Sequence, residues 1–410
     1  MDKNIPVILD SDKCNGCVNC MKRCPTEAIR VRGGKAMIMY DRCVGCGECV
    51  RVCPTQAKLE TPDPLSAIEK FKYKIAVVSA AIYGQFANLG DPNYVRDGLI
   101  ALGFDDVVDV GECAAAYSQA IVAASETGDG LPFIGPVCPV VTRLIQLKYE
   151  HLIRHIPPVR QPERIAVKLA VKRAAERGLD RKDVGVFLIA PCAADILKFR
   201  ADPDTDGVLS IKGLYVKLLA EMNKIKKPSG ASRLGAVGVM SGANIEPICG
   251  FPARSVLVAD GIDNVLGVLE ELEHDKLGDV KYLQLYACHG GCVGGTLNIE
   301  NPFLARNRLV RLADDLGGRE TAATGGGDID ISMCTRTVAY EPKNIFKLDD
   351  DRAVAMKKAM EIKRIYASLP HMDCGACGAP CCMAFAEDIV KGVKAECKYV
   401  KVQADGGGET

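Results

Sequence analysis

The sequence lacks an excess of either charge, an apolar leader and any long apolar run. Its 52 lysines and arginines are balanced by 52 aspartates and glutamates, so no basic surface of the kind that binds nucleic acid is indicated. The segment from Met1 to Pro6 has no signal-peptide core, and no run approaches the ~20 apolar residues of a membrane span. The sequence therefore predicts a cytoplasmic protein that binds no nucleic acid and does not cross a membrane.

Cysteine is abundant, but not at the density of a disulfide scaffold. The 410 residues include 20 cysteines, about 5% of the chain, whereas small disulfide-rich domains exceed roughly 8%. Many of them occur in groups with the short spacings of metal ligands. Free thiols in this number indicate a reduced, anaerobic setting. At this length, two or three domains are expected.

Residues 11 to 60 carry one cysteine pattern twice. Each copy reads Cys-x2-Cys-x2-Cys-x3-Cys-Pro, which is the pattern of bacterial two-cluster ferredoxins. Three closely spaced thiolates bind one 4Fe-4S cluster, and the fourth reaches across to the other cluster. The alternative is a pair of zinc sites or disulfides. The predicted ligand sets are Cys14, Cys17, Cys20 and Cys53 for one cluster, and Cys43, Cys46, Cys49 and Cys24 for the other.

Farther along the chain, three apolar segments that are typical of buried strands each end in cysteine. In open α/β sheets, ligands bind at the C-terminal edge of the strands, and four soft sulfurs suit an iron-sulfur cluster or zinc. Glycines around the last cysteine favour the larger cofactor, because they let main chain approach closely and leave space. The four cysteines are Cys138, Cys192, Cys288 and Cys292, after segments 131–137, 184–191 and 282–287.

Strands and helices alternate between residue 73 and residue 316. This alternation predicts parallel sheets with helical crossovers. We expect two sequential halves, of which the second runs from Val184 to about Leu316. Cys138 belongs to the first half and the other three cysteines to the second half. The predicted cluster would therefore lie in the cleft between the halves.

A third cysteine-rich segment follows a predicted helix at about 350–367. Its spacing, Cys-x2-Cys-x4-Cys with a distant fourth cysteine, fits a further 4Fe-4S site. Cys381 is left over, and a swap with its neighbour Cys382 stays open. Zinc is the alternative metal here. The predicted ligands are Cys374, Cys377, Cys382 and Cys397.

With these residues in view, the chain resembles the FeFe hydrogenases of the sensory or otherwise divergent type. The likeness rests on Gly-Pro-Val-Cys138-Pro, on Ala-Pro-Cys192-Ala-Ala-Asp and on Ala-Cys288-His-Gly-Gly-Cys292-Val-Gly-Gly, and extends over nearly the whole chain. It implies that the four cysteines bind a 4Fe-4S cluster. It also implies that Cys292 bridges to a two-iron centre carrying carbonyl, cyanide and a dithiolate amine.

The resemblance implies an α/β fold with three parts. These are a ferredoxin-like two-cluster module, a hydrogenase-type domain of two parallel-sheet halves with a cluster in the cleft, and a small helical iron-sulfur domain. The predicted boundaries are 1–60, 73–345 and 346–400, with a flexible tail at 401–410.

Three departures from the family pattern bear on the two-iron centre. Val137 stands where productive members have a proton-relaying cysteine. Asp195 stands where the family has a lysine that donates to a cyanide ligand. At ~5 Å and an effective dielectric of about 20, the attraction between a lysine and the anionic ligand is worth roughly 3 kcal/mol. An ionised aspartate would replace this attraction by a repulsion of similar size. Either Asp195 is protonated or turned away, with Lys198 substituting, or the centre is absent. Ala190 and Tyr286 replace methionines that pack beside the centre in the family.

Candidate catalytic residues are fewer than the candidate ligands. Cys292 and Asp195 are named by the resemblance. Glu112 and Cys113 follow a predicted strand and are candidates to begin a proton path, although an ordinary buried cysteine is the alternative for Cys113. His289, between two ligands, either hydrogen-bonds a cluster sulfide or faces solvent.

Two functions fit these residues. The first is a divergent FeFe hydrogenase of low activity, or a dihydrogen sensor with a separate signalling partner, that uses four 4Fe-4S clusters and a two-iron centre. The second is a hydrogenase-derived subunit that keeps the 4Fe-4S clusters, lacks the two-iron centre and relays electrons in a larger redox complex. Both predict ferredoxin-like electron donors or acceptors, or other redox subunits, as partners.

Overall fold

The computed structural model describes residues 5–126, 131–244, 251–317, 329–393 and 395–400. The chain forms two compact units. The segment 401–410, predicted to be a flexible tail, lies outside the described residues. The larger unit contains residues 1–6, 44–47 and 60–342, and the smaller unit contains residues 7–43, 48–59 and 343–410. The two terminal cysteine-rich segments thus share a unit, and the predicted three-domain division stays a prediction.

The N-terminal part of the smaller unit consists of short strand pairs and one-turn helices. Its elements are β1 (Val7–Leu9), α1 (Asn19–Lys22), β2 (Ile29–Arg32), β3 (Lys35–Ile38), α2 (Glu48–Arg51) and β4 (Lys58–Glu60). β1 pairs with β4, and β2 pairs with β3 in antiparallel register. Gly33 and Gly34 both have positive φ, which the two-residue turn of this hairpin requires.

The larger unit contains two parallel sheets. Its strands are β5 (Tyr73–Val78), β6 (Asp106–Asp109), β7 (Phe133–Ile134), β8 (Val184–Ala190), β9 (Gly207–Ser210), β10 (Val256–Asp260) and β11 (Tyr282–Tyr286). The first sheet has the order β6-β5-β8-β9 and the second has the order β10-β11-β7. All pairings within these two sheets are parallel, as the strand-helix alternation predicts.

Helices connect the strands and cover the sheets. They are α3 (Asn93–Ala101), α4 (Ala114–Glu126), α5 (Pro139–Lys148), α6 (Pro162–Glu176), α7 (Ala193–Phe199), α8 (Ile211–Met222), α9 (Ala236–Met240), α10 (Ile262–Glu273), α11 (Pro302–Leu316) and α12 (Ile331–Cys334). Short 3-10 turns at 80–85 and 110–113 complete the connections at the strand ends.

The first sheet is buried on both faces. Along β5, Ile75 and Val77 belong to one apolar core, whereas Ala76 and Val78 belong to the other. Successive side chains of a strand point to opposite faces, so two helical layers enclose the sheet. Full burial on both sides explains why the strands are apolar runs rather than alternating patterns.

The predicted division into two sequential halves is wrong. β8, which leads to Cys192, pairs with β5 of the supposed first half. β7, which leads to Cys138, pairs with β11 of the supposed second half. Cys138 and Cys288 therefore follow strands of one sheet, and Cys192 follows a strand of the other. Pairing between strands about 110 to 150 residues apart is set by tertiary packing, which periodicity in one sequence does not reveal.

The C-terminal part of the smaller unit is a helix pair. Its elements are α13 (Arg352–Ala367) and α14 (Cys382–Val390). Ile362, Ile365 and Phe385 form a small buried core between them. A core of this size supplies limited stability alone, so the segment depends on its neighbours.

Buried ion pairs join α14 to the N-terminal part of the same unit. Asp388 accepts hydrogen bonds from Arg30 Nε at 2.8 Å and from Arg32 Nη2 at 2.7 Å. Glu387 pairs with Arg42 Nη2 at 2.8 Å. The side chains of Arg30 and Asp388 are only 7% and 10% exposed. Removing one partner would leave the other charge buried without compensation.

None of the helices in the described ranges is long enough and apolar enough to cross a membrane.

We expect Asp388→Ala to destabilise the smaller unit by about 3–5 kcal/mol, because it leaves Arg30 buried and unpaired. The matched control is Glu361→Ala, which removes the exposed pair of Glu361 with Arg364 and should cost roughly 0–1 kcal/mol. Denaturant unfolding under strict exclusion of oxygen measures both. Equal shifts of the two midpoints would contradict the buried-pair account.

Candidate metal centres

The structure brings the four central cysteines together at the ends of three parallel strands. Cys138 precedes α5, Cys192 precedes α7, and Cys288 and Cys292 follow β11. The sulfur of Cys192 interacts electrostatically with those of the other three. The positions agree with the predicted edge of the sheets; the role of the four residues as ligands remains a prediction.

The environment of these thiols disfavours their ionised form. Burial raises the pKa of Cys138 to about 12. Burial also raises the pKa values of Cys192 and Cys292 well above the usual range, and neighbouring anions add to the effect. Thiolates placed together in such a site need a compensating positive charge, which iron ions provide. The residues present therefore fit a 4Fe-4S cluster.

Main-chain N–H groups also point at this site. Those of Ala287, Val140 and Val141 donate hydrogen bonds to the Cys138 sulfur. The last two belong to the first turn of α5, whose N-terminus favours negative charge. Hydrogen bonds from the main chain to ligand sulfurs are a means of setting cluster potentials.

The glycines around Cys292 serve close packing of the main chain. A Cβ added to Gly294 would collide with the carbonyl oxygen of His289, and one added to Gly295 would collide with that of Pro191. These glycines thus hold the Cys292 loop against neighbouring loops. The expectation that they leave space beside the last cysteine is wrong, because main chain fills that space.

A small cavity lies beside Cys292. Its volume is about 20 Å³, which holds one water molecule. Its lining includes Val137, Glu163, Gln284, Tyr286 and Cys292. Glu163 was not identified from the sequence; it follows Pro162 at the start of α6, and nothing in the cysteine spacing points to it.

Two carboxyl groups stand close to the central cysteines. The Cys192 thiol donates to Asp195 Oδ2 at 3.2 Å, so Asp195 is not turned away from the site. Burial raises the pKa of Asp195 to about 6, and burial together with Asp195 raises that of Glu163 to about 8. Burial lowers the pKa of Lys198 to about 8. Asp195 and Glu163 are therefore two neighbouring buried acids, and the charge of Lys198 compensates them only weakly.

Glu112 and Cys113 lie in the chain between Val110 and Ala114, two residues that line this cavity. Glu112 accepts hydrogen bonds from Asp109 N and, at 2.7 Å, from Arg173 Nη2. Cys113 is completely buried within an apolar core. Neither residue lines the cavity beside Cys292. The role of these two residues in a proton path stays a prediction.

His289 faces solvent rather than a sulfur. Its side chain is 62% exposed, and Nδ1 lies 3.4 Å from Asp260 Oδ1. Of the two interpretations of this histidine, the structure favours the solvent-exposed one.

The first N-terminal ligand set surrounds one cavity. Cys14, Cys17, Cys20 and Cys53 all line it, although Cys53 comes from the second copy of the pattern. The Cys53 sulfur accepts a hydrogen bond from Ala57 N at 3.1 Å. This crossed arrangement is the one that the two-cluster pattern predicts.

The second set shows the reciprocal crossing. The Cys49 sulfur interacts with those of Cys43 and Cys24. Cys46 belongs to segment 44–47 of the larger unit. Gly45 in this segment packs against Ala194, since a Cβ added to Gly45 would lie 2.9 Å from Ala194 Cα. Ala194 is two residues after Cys192. Cys46 is thus next to the loop that carries a central cysteine.

Lys58 is a residue that the cysteine pattern did not single out. Its side chain is only 2% exposed, and Nζ has no hydrogen-bond partner among the described residues. It lines the same cavity as the first ligand set. A comparison of the two copies of the cysteine pattern could have found it. Lys58 in the second copy occupies the position of Ile29 in the first copy, so a charged residue replaces an apolar one there.

The C-terminal cysteines also share a cavity, which Cys374, Cys377, Cys381, Cys382 and Cys397 line. The spare cysteine, Cys381, caps α14 by accepting a hydrogen bond from Ala384 N at 3.3 Å and lies 3.5 Å from Glu27 Oε1. Both Cys381 and Cys382 line the cavity, and the choice of Cys382 as the ligand stays a prediction. Within the described residues, no three His, Cys, Asp or Glu side chains are arranged to hold a single metal ion. A 4Fe-4S cluster does not need such an arrangement, because each cysteine binds a different iron of the cluster.

Three families match consecutive parts of the chain. Residues 6–54 match the 4Fe-4S dicluster domain. Residues 72–244 match the C-terminal domain of the iron only hydrogenase large subunit, and residues 369–399 match a domain described as a putative Fe-S cluster.

Solved FeFe hydrogenases have a similar fold. A variant of the Chlamydomonas reinhardtii enzyme is 15% identical, with a TM-score of 0.50, over 68% of this chain and 98% of that chain. The apo form of another variant of that enzyme is 15% identical over the same shares, with a TM-score of 0.48. At this identity the likeness shows the fold, an α/β architecture, and not the activity.

The two-iron centre implied by this relationship does not fit the residues beside Cys292. Asp195, which contacts Cys192, stands where the resemblance expects a lysine that donates to a cyanide ligand, and Glu163 adds a second buried carboxyl group beside Cys292. Val137 supplies no exchangeable proton.

Replacing Cys192 with alanine should remove about four iron atoms from the roughly sixteen that four 4Fe-4S clusters contain. Cys113→Ala is the matched control, because Cys113 is a buried cysteine of the same unit that is outside the predicted ligand sets. Iron and sulfide analysis of anaerobically purified protein measures the difference. Equal iron content in the two variants would contradict the predicted site.

Glu163→Gln should flatten the pH dependence of stability between about pH 4.5 and pH 8. The pKa of Glu163 is raised from 4.5 to about 8 in the folded protein. Between these values the unfolded chain binds fewer protons than the folded protein, so stability falls as pH rises. Thermal unfolding midpoints across this range test the prediction, with the exposed Glu361→Gln as control. An unchanged slope in Glu163→Gln would refute it.

Proposed function

We propose that this chain, a divergent relative of the FeFe hydrogenases, is an iron-sulfur electron-transfer protein that has four 4Fe-4S clusters and no two-iron centre. It would relay electrons within a redox complex rather than turn over dihydrogen. The single observation that carries this proposal is the hydrogen bond from the Cys192 thiol to Asp195 Oδ2 at 3.2 Å, which places a carboxyl group where the family has a lysine.

Cluster sites are proposed at the four cysteine sets. A 4Fe-4S cluster in each would supply the capacity to accept and release one electron. The chain's own residues bind the clusters, exclude water and set the local charge. The clustering of sulfurs around Cys20, Cys49, Cys192 and Cys377 supports this assignment.

The charges near Cys292 support the absence of the two-iron centre. A unit charge pair about 5 Å apart is worth roughly 3 kcal/mol at an effective dielectric of about 20. Two acidic groups facing anionic cyanides would oppose binding by such amounts whenever they are ionised. Lys198 interacts with both carboxyl groups, so its charge is already shared.

The loss of the family's proton-relaying cysteine, whose position Val137 occupies, supports the same conclusion. Dihydrogen chemistry needs a group that exchanges protons beside the reacting metal. Val137 has none, and Glu112 is held by Arg173. A hydrogenase or dihydrogen sensor, the first function predicted from the sequence, is supported by the shared fold and the four cysteines but not by these residues.

Electron passage between the N-terminal clusters and the central cluster is proposed to run past Cys46. The close packing of Gly45 against Ala194 supports this route. Ferredoxin-like proteins or other redox subunits are the proposed partners. The proposed domains are 1–60, 73–345 and 346–400, with the two terminal ones sharing a compact unit.

Infrared spectroscopy after incubation with a synthetic two-iron cofactor tests the proposal. We expect no carbonyl or cyanide bands from the protein as it exists. The double variant Asp195→Lys, Glu163→Gln should gain such bands, because it replaces an acidic group by a donor and removes the second charge. Bands of full intensity from the unmodified protein would favour the hydrogenase instead.

A further inference from the structure

The Lys58 ammonium group is buried in an unusual way. The side chain is 2% exposed, and Nζ has no hydrogen-bond partner within the described part of the chain. An isolated buried charge is strongly disfavoured, and such groups are normally paired or placed beside a metal site. Lys58 therefore needs negative charge nearby that the side chains alone do not supply.

The internal repeat shows that the fold does not require a lysine there. Lys58 ends the sequence Cys53-Pro-Thr-Gln-Ala-Lys, and Ile29 ends the equivalent Cys24-Pro-Thr-Glu-Ala-Ile. Ile29 is also 2% exposed and packs in an apolar cluster with Cys20, Met21 and Ala36. An apolar side chain thus satisfies the packing at the equivalent position, so the charge of Lys58 has another purpose.

The neighbours of Lys58 are sulfurs from both N-terminal ligand sets. Its charge acts on the thiols of Cys20 and Cys49, and it favours the ionised form of each. Cys20 belongs to the first predicted set and Cys49 to the second. Lys58 also lines the cavity that Cys14, Cys17, Cys20 and Cys53 surround. The thiolates of the two ligand sets would therefore supply the negative charge that the buried Lys58 needs.

We propose that Lys58 is the buried counter-charge of both N-terminal clusters and raises their reduction potentials. This inference rests on the cluster assignments of the proposed function. Reduction adds one electron from an external donor to a cluster that is already negative with its four thiolates, and no bond or proton changes. A fixed positive charge nearby stabilises the more negative, reduced form. Lys58 is thus a residue that tunes the potential and not a ligand.

Redox titration of the full-length protein, followed by electron paramagnetic resonance, tests the proposal. Lys58→Ile copies the equivalent position of the repeat, and we expect both N-terminal signals to titrate at more negative potentials in this variant. Lys58→Arg keeps the charge and should leave the potentials near those of the unmodified protein. The exposed control is Lys13→Met: Lys13 precedes Cys14, is 55% exposed and pairs with Asp10, so its loss should shift the potentials much less.

Unchanged potentials in Lys58→Ile, with both clusters present, would overturn the proposal. Equal shifts in Lys58→Ile and Lys13→Met would also overturn it, because any nearby lysine would then act alike. Loss of clusters in Lys58→Ile but not in Lys58→Arg would support the counter-charge. Loss in both would show that side-chain shape matters rather than charge. Absence of the two N-terminal signals from the unmodified protein would instead refute the cluster assignments.

Discussion

Desolvated thiols at the ends of parallel strands are the constraint on which the larger unit depends. Burial raises the pKa values of Cys138, Cys192 and Cys292, so gathering them is unfavourable unless positive metal ions compensate. Strands of two different sheets, β8 and β11, deliver these sulfurs to one place. We therefore expect folding of the two sheets to be coupled to loading of the site, as in other proteins whose metal ligands are distant in sequence.

Local charge then decides which chemistry the site supports. Glu163 and Asp195 put acidic groups beside the central cysteines, and Val137 offers no proton. In the smaller unit, Lys58 puts a positive charge between two groups of cysteines. In the functions proposed above, the first arrangement opposes an anionic two-iron centre, and the second favours reduced clusters. Under the proposed function, one fold would host hydrogenase activity in some relatives and electron relay in this chain, because function depends on the residues around the metal.

The sequence predicted local features well and long-range pairing poorly. Dense cysteine spacing identified the terminal sets because a cluster needs ligands within a short loop. Apolar runs identified the strands that precede Cys192 and Cys288. The pairing of β7 with β11 could not be predicted, because parallel strands may pair at any separation. Only Phe133 and Ile134 of the predicted segment 131–137 pair, since Pro136 has no N–H to donate. Glu163 could not be found, since no spacing rule marks it, whereas the repeat marks Lys58 against Ile29.

The most direct test is an anomalous difference map at the iron edge from crystals grown without oxygen. The account predicts four iron positions within one compact peak between Cys138, Cys192, Cys288 and Cys292, and no iron on the side of Cys292 that faces Glu163. Two further iron positions on that side, or no iron among the four sulfurs, would contradict it.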